Sequence, residues 1–146
     1  MVKINFEKNI PTEIRSAIEP LVNDLAWLIP GWCQYIDIRW QEENPHGAFM
    51  QCGTNYAYRW VSITVFPQWL MQEDSERKEC LVHEIIHGLN APLADWIREV
   101  IKTLAPEETE GRLQTILMDE LVQRNESFVQ DMAFAISKMP RVDKAV

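Results

Sequence analysis

Apolar residues recur along this chain with a period near two in some stretches and near 3.6 in others, and the switches between periods mark out the elements. Residues 2–6 alternate weakly and predict a first strand. Pro11, Thr12 and Glu13 then open an amphipathic helix running to about residue 28, with Ile14, Ile18, Val22, Leu25 and Ile29 as its buried stripe. Pro20 falls inside that helix and removes one backbone donor, which predicts a kink or a split in two. Beyond Pro30 and Gly31, residues 35–41 alternate, with Ile36, Ile38 and Trp40 on one face and Tyr35, Asp37 and Arg39 on the other, as in a half-buried strand. Asn44, Pro45, Gly47 and Gly53 make residues 42–54 read as a loop or irregular hairpin. Residues 55–66 form a strong strand whose Val61, Ile63 and Val65 share a face, and Pro67 closes it.

The period then becomes helical. Asp74 or Ser75 supplies an N-cap for a helix reaching about residue 89, where Gly88 and Asn90 act as stop signals before Pro92. Residues 92–104 fit a second short helix, residues 106–111 an acidic break, and residues 112–139 a long helix. The order predicts an α+β fold with a small sheet packed on the middle helix and a long C-terminal helix. No internal repeat is visible, and 146 residues with 47% hydrophobic composition suit one domain spanning residues 1–146.

Charge and cysteine content narrow the class. Fourteen basic against 22 acidic residues give a net charge of −8 with no basic cluster, which argues against a phosphate-backbone partner. No run approaches the roughly 20 apolar residues of a membrane span, and residues 1–10 lack an apolar signal core, so a cytoplasmic protein is expected. Cys33, Cys52 and Cys80 have no paired spacing, and reduced thiols are expected rather than a disulfide framework.

The run that carries chemistry is His83-Glu84-Ile85-Ile86-His87. Residues i and i+4 of a helix lie on one face, so both imidazoles can reach one Zn²⁺ at about 2.0 to 2.1 Å. Glu84 need not be a ligand; beside the open coordination position it can take a proton from a zinc-activated water and return it to a leaving amine. Only three histidines occur in the chain, and two of them fall into this register.

Two histidines leave a catalytic zinc one protein ligand short. A third histidine at the spacing His-x-x-Gly-x-x-His is excluded, because the positions concerned hold Asn90 and Leu93. His46 is the only other imidazole and sits upstream in a loop, while the last helix offers Asp119, Glu120, Glu126 and Asp131. Met118, Leu121, Val122, Phe128, Val129, Met132 and Ile136 mark that helix's predicted buried side. Projected at about 100° per residue, Glu126 lies at its edge between Val122 and Val129, and Glu120 and Asp131 point nearly the opposite way. A carboxylate at the border of a buried stripe is costly unless a cation compensates it, which favours Glu126 and leaves Asp119, Glu120 and His46 as alternatives.

The pair of histidines followed by Asn125-Glu126 on a later helix resembles the glutamate-zincin pattern of thermolysin-type peptidases, in which the glutamate is the third zinc ligand. In that pattern an aspartate four residues further on orients the first histidine; Gln130 stands there instead, and its carbonyl can accept the imidazole N–H. In size and layout the chain is similar to the small HExxH metallopeptidase-like proteins of phages and prophages, and more distantly to the repressor-cleaving ImmA-type peptidases. The resemblance covers the strand 61–66, the following proline, the motif helix, and Glu126 to Val129. It implies a compact zincin core, with the strand 58–66 edging the cleft and pairing with an extended peptide substrate.

Secondary candidates have dull explanations beside the chemical ones. Cys80 shares the His83 face as a thiol near the metal or as a small core filler. Tyr56, Tyr58 and His46 are candidate donors to a developing oxyanion, and Trp60, Trp69 and Trp96 either line a groove or fill the core. The expected function is a zinc metallopeptidase using His83, His87 and Glu126 on the metal and Glu84 as general base and acid. The alternatives are a phage-associated zinc-binding regulatory or interaction protein without efficient turnover, and a hydrolase of non-peptide amides.

Overall fold

The computed structural model describes residues 2–44, 47–55 and 57–139. Its fold is α+β: a four-stranded mixed sheet with helices packed on it. Strand β1 (Lys3–Phe6) runs parallel to β2 (Tyr35–Trp40), with helix α1 (Thr12–Asp24) as the crossover between them. Ile14, Ile18 and Val22 of α1 are buried as the helical period requires. Pro20 does not split the helix: Ser16 and Pro20 both lie on its exposed side, where water can replace the missing donor. The helix ends instead at Leu25, and a short 3₁₀ turn, Ala26–Leu28, follows.

The stretch expected to be one strand over residues 55–66 is the second half of a hairpin. Strand β3 (Met50–Asn55) lies mostly in what read as a loop or irregular hairpin, and β4 (Trp60–Val65) returns antiparallel to it. Residues 57–59 turn between them, with Arg59 at φ 53° and the Tyr58 N–H donating to Asn55 Oδ1 at 3.2 Å. Gly53 is a close approach rather than a loop signal, since a Cβ there would stand 2.8 Å from Ser62 Oγ. The strand order is β1-β2-β4-β3, so β4 is paired on both sides and β3 forms one edge.

Helix α2 is a single 31-residue element, Asp74–Leu104, and not two helices parted at Pro92. Each expected stop signal has another use. Gly88 lets α2 approach β4, where a Cβ would meet Val61 Cγ2 at 3.4 Å, and Asn90 donates to the Asn125 side chain. Ala91 is buried just before the proline and Ala94 and Ile101 beyond it, so packing there sustains the helix across it. The N-cap is Glu73 rather than Asp74 or Ser75, in a capping box where Glu76 Oε2 accepts the Glu73 N–H at 3.1 Å.

Helix α3 (Glu107–Ser137) starts five residues earlier than the acidic break suggested, and the break survives only as a non-helical Glu110. Its buried strip is narrower than the sequence implies. Val129, Ala133 and Ile136 are buried, whereas Val122, Phe128 and Met132 are exposed. One cluster of buried side chains joins Ile14 and Ile18 of α1, Ile36, Ile38, Ile63 and Val65 of the sheet, Leu81 and Ile85 of α2, and Val129 of α3. Trp69, in the 3₁₀ turn Pro67–Met71, is fully enclosed and donates its Nε1 hydrogen to the Arg77 carbonyl at 3.2 Å. Among the described residues no helix is long and apolar enough to cross a membrane.

Candidate metal centre

His83 and His87 sit one turn apart on α2 and face α3, which runs back alongside it. Their Nε2 atoms are 3.0 Å apart and their rings meet edge-on, at 4.7 Å between centroids. Glu126 on α3 closes the triangle, with Oε2 at 3.5 Å from His83 Nε2 and Oε1 at 3.4 Å from His87 Nε2. Donors on a tetrahedral ion with bonds of 2.0 to 2.1 Å stand about 3.4 Å from one another, and with one ligand atom taken from each residue the three atoms here all lie within 4.8 Å of one another. The three residues therefore lie close enough to bind a metal ion. Two neutral imidazoles and a carboxylate are also the donor set that suits zinc in sites with an open fourth position.

The alternatives for the third position fall elsewhere. Glu120 is exposed and ion-paired with Arg124 at 3.3 Å, and Asp119 does not join the cluster. Asp131 is exposed and does not join the cluster either. His46 and Tyr56 lie outside the described residues. Tyr58 is 77% exposed at the hairpin tip and is absent from the walls of the cavity, so it is no oxyanion donor here.

Glu84 lies beside the triangle without belonging to it. Only 8% of it is exposed, and burial together with the Glu126 charge, opposed by a hydrogen bond from the Cys52 backbone, raises its pKa from the ordinary 4.5 to about 7. A carboxyl poised near neutrality can both accept and return a proton, and a divalent cation held by the three ligands would pull it toward the ionised form. The pKa of His87 is lowered, chiefly by burial, while Glu126 opposes the shift and His83 adds to it. That favours the neutral ring, which is the form that ligates.

The site opens into a cavity of about 780 Å³ between β3, the ligand face of α2, and α3. Met50, Gln51, Cys52 and Thr54 of β3 form one wall, so the strand that edges the cleft is β3 and not residues 58–66. Trp60, Trp69 and Trp96 do not line it. Cys80 does, and burial with nearby Glu84 pushes its thiol up to about 11, which leaves it protonated and a poor ligand.

The hydrogen-bond partners of the two rings are amides. His83 Nδ1 is 3.1 Å from Gln130 Oε1, and His87 Nδ1 is 3.4 Å from Asn125 Nδ2. Gln130 thus takes the place the sequence assigned to it. Asn90 and Asn125 were not anticipated, although Asn90 follows His87 by three positions and so shares its helix face. Comparisons with protein-family models, with curated proteins and with solved structures find no match to this chain.

Proposed function

We propose that this chain is a zinc-dependent metallopeptidase of the glutamate-zincin kind, with His83, His87 and Glu126 as ligands and Glu84 as general base and acid. One observation carries the reading: three ligating groups converge closely enough to share one ion, beside a buried carboxyl that is not among them. Zinc, when bound, supplies a Lewis acid that acidifies water and polarises a carbonyl. The chain's own residues do the rest. Glu84 is held toward the cavity by the Cys52 backbone, where it can move a proton between a water and a leaving amine. A peptide substrate is favoured because β3 pairs only with β4 among the described strands and its backbone walls the cavity, so an extended chain can add to its outer side.

The competing reading is a metal-bearing regulatory protein that cleaves nothing efficiently. Apart from the two ligand histidines, no histidine or tyrosine lines the cavity among the described residues, so none of the expected oxyanion donors is found there. Incubating purified protein with a peptide library, with and without chelator, separates the two. Chelator-sensitive cleavage that disappears in Glu84→Gln while zinc content stays at one per chain supports the peptidase; equal cleavage by Glu84→Gln removes the role of Glu84, and zinc uptake with no cleavage by the native protein favours the regulator.

A further inference from the structure

The two ligand histidines are not held alike, and the difference lies in what stands behind each amide. Behind Gln130 is a carboxylate: Gln130 Nε2 donates to Glu79 Oε1 at 2.9 Å. Behind Asn125 is only a second amide, that of Asn90. We propose that Glu79 is a positioning residue of the metal centre, which acts through the Gln130 amide to fix His83 as the tautomer that offers Nε2 to the metal. The inference rests on the zinc-centre reading given above.

The argument follows from donors and acceptors alone. A carboxylate has no hydrogen to give, so the amide beside it must present its NH₂ group to Glu79. Its carbonyl oxygen is then turned toward His83, where only Nδ1–H can satisfy it at 3.1 Å. A neutral imidazole carries one ring hydrogen, so Nε2 keeps its lone pair and faces Glu126 and His87, where the ion would sit. Each step removes one of two otherwise equivalent orientations. The Asn90–Asn125 pair has no such fixed end; both amides can turn over together, and the tautomer of His87 is set by the ion itself.

Helical geometry supplies the device. Glu79 precedes His83 by four positions on α2, so both side chains leave the same face and α3 needs to contribute only Gln130 to bridge them. The negative charge of Glu79 also reaches the ring through a polarised amide rather than by direct contact, which strengthens the Nδ1–H bond and makes Nε2 a better donor to a cation.

The test is zinc affinity by competition with a chromogenic chelator, together with ¹⁵N spectra of the imidazoles in chelator-treated protein. Wild type should show His83 as the Nδ1–H tautomer before zinc is added. Glu79→Gln should give a tautomer mixture and a loss of about 10-fold in zinc affinity, the low end of the usual range because water reaches both partners. Gln130→Ala should lose at least as much. The exchanged pair Glu79→Gln with Gln130→Glu restores a carboxylate that accepts from both neighbours, and should recover the affinity. Unchanged affinity in Glu79→Gln, a tautomer mixture in wild type, or no recovery in the exchanged pair overturns the proposal. Wild type that takes up no zinc at all removes the zinc-centre reading, and the role of Glu79 with it.

Discussion

The carboxylate of Glu84 accepts the backbone N–H of Cys52, a bond that ties the middle of α2 to β3. It is the one interaction opposing the burial and the Glu126 charge that raise the Glu84 pKa to about 7. The folded chain therefore keeps a proton that the unfolded chain loses above the ordinary value of 4.5, and stability should fall as pH rises from there through about 7. Glu84→Gln removes the penalty. In chelator-treated protein at pH 8 it should be more stable than wild type, by up to about 3 kcal/mol if the whole shift is expressed, while at pH 4 the two should melt together. Equal melting temperatures at pH 8 would mean that the carboxyl is better solvated than its burial implies. His87 acts in the opposite sense, since its lowered pKa means that stability is lost as pH falls below the ordinary 6.5.

Zinc binding should appear as stability, because the three ligands come from two helices that the ion would join. Adding zinc to chelator-treated wild type should raise the melting temperature in a concentration-dependent way, and the gain should vanish in His83→Ala, His87→Ala and Glu126→Ala. Each of these should lose more than the roughly 10- to 100-fold in affinity that removal of a neighbouring hydrogen bond costs. Glu120→Ala, whose ion pair with Arg124 is exposed, should bind as wild type does. A zinc-dependent melting shift that survives in Glu126→Ala would move the third ligand elsewhere.

The site was more legible than the fold around it, and locality explains why. The placing of His83, Glu84 and His87 on one helix follows from spacing alone, and Glu126 could be picked from its neighbours because the helical period puts one carboxylate at the edge of an apolar strip. Strand β3 could not be read that way. Residues 50–55 hold two apolar side chains, Met50 and Cys52, and their pairing depends on β4, which is legible only once the turn at 57–59 is placed. The width of the α3 strip depends likewise on how little of α3 the rest of the molecule covers, so Phe128 and Met132 are exposed despite their period.

Gly53 reports on β3 directly. A methyl group there would stand 2.8 Å from Ser62 Oγ, and Ser62 is itself nearly enclosed. Gly53→Ala should destabilise by about 1 to 2 kcal/mol through this clash. Ser62→Ala in the same chain should recover part of that, as a coupling visible in a double-mutant cycle by urea denaturation. Additive effects would place the two residues apart and would remove the hairpin register on which the cavity wall depends.

Pro92 distinguishes one long helix from two. Inside a helix it leaves the Gly88 carbonyl without its i+4 donor, at a cost near 3 kcal/mol relative to alanine in a regular helix. At the first turn of a separate helix it would be tolerated and its replacement nearly neutral. The structure carries α2 through Pro92 to Leu104, with Ala91 and Ala94 buried on either side of it. Pro92→Ala should therefore stabilise the protein, by at least about 1 kcal/mol once the unfolded chain's gain in freedom is set against the restored hydrogen bond. The effect should localise, with the amides following residue 92 exchanging more slowly in hydrogen exchange. A neutral or destabilising Pro92→Ala, with exchange unchanged over residues 92–104, would mean that the second half of α2 is a separate helix and that the cavity wall formed by Ala94, Asp95 and Arg98 is set by α3 alone.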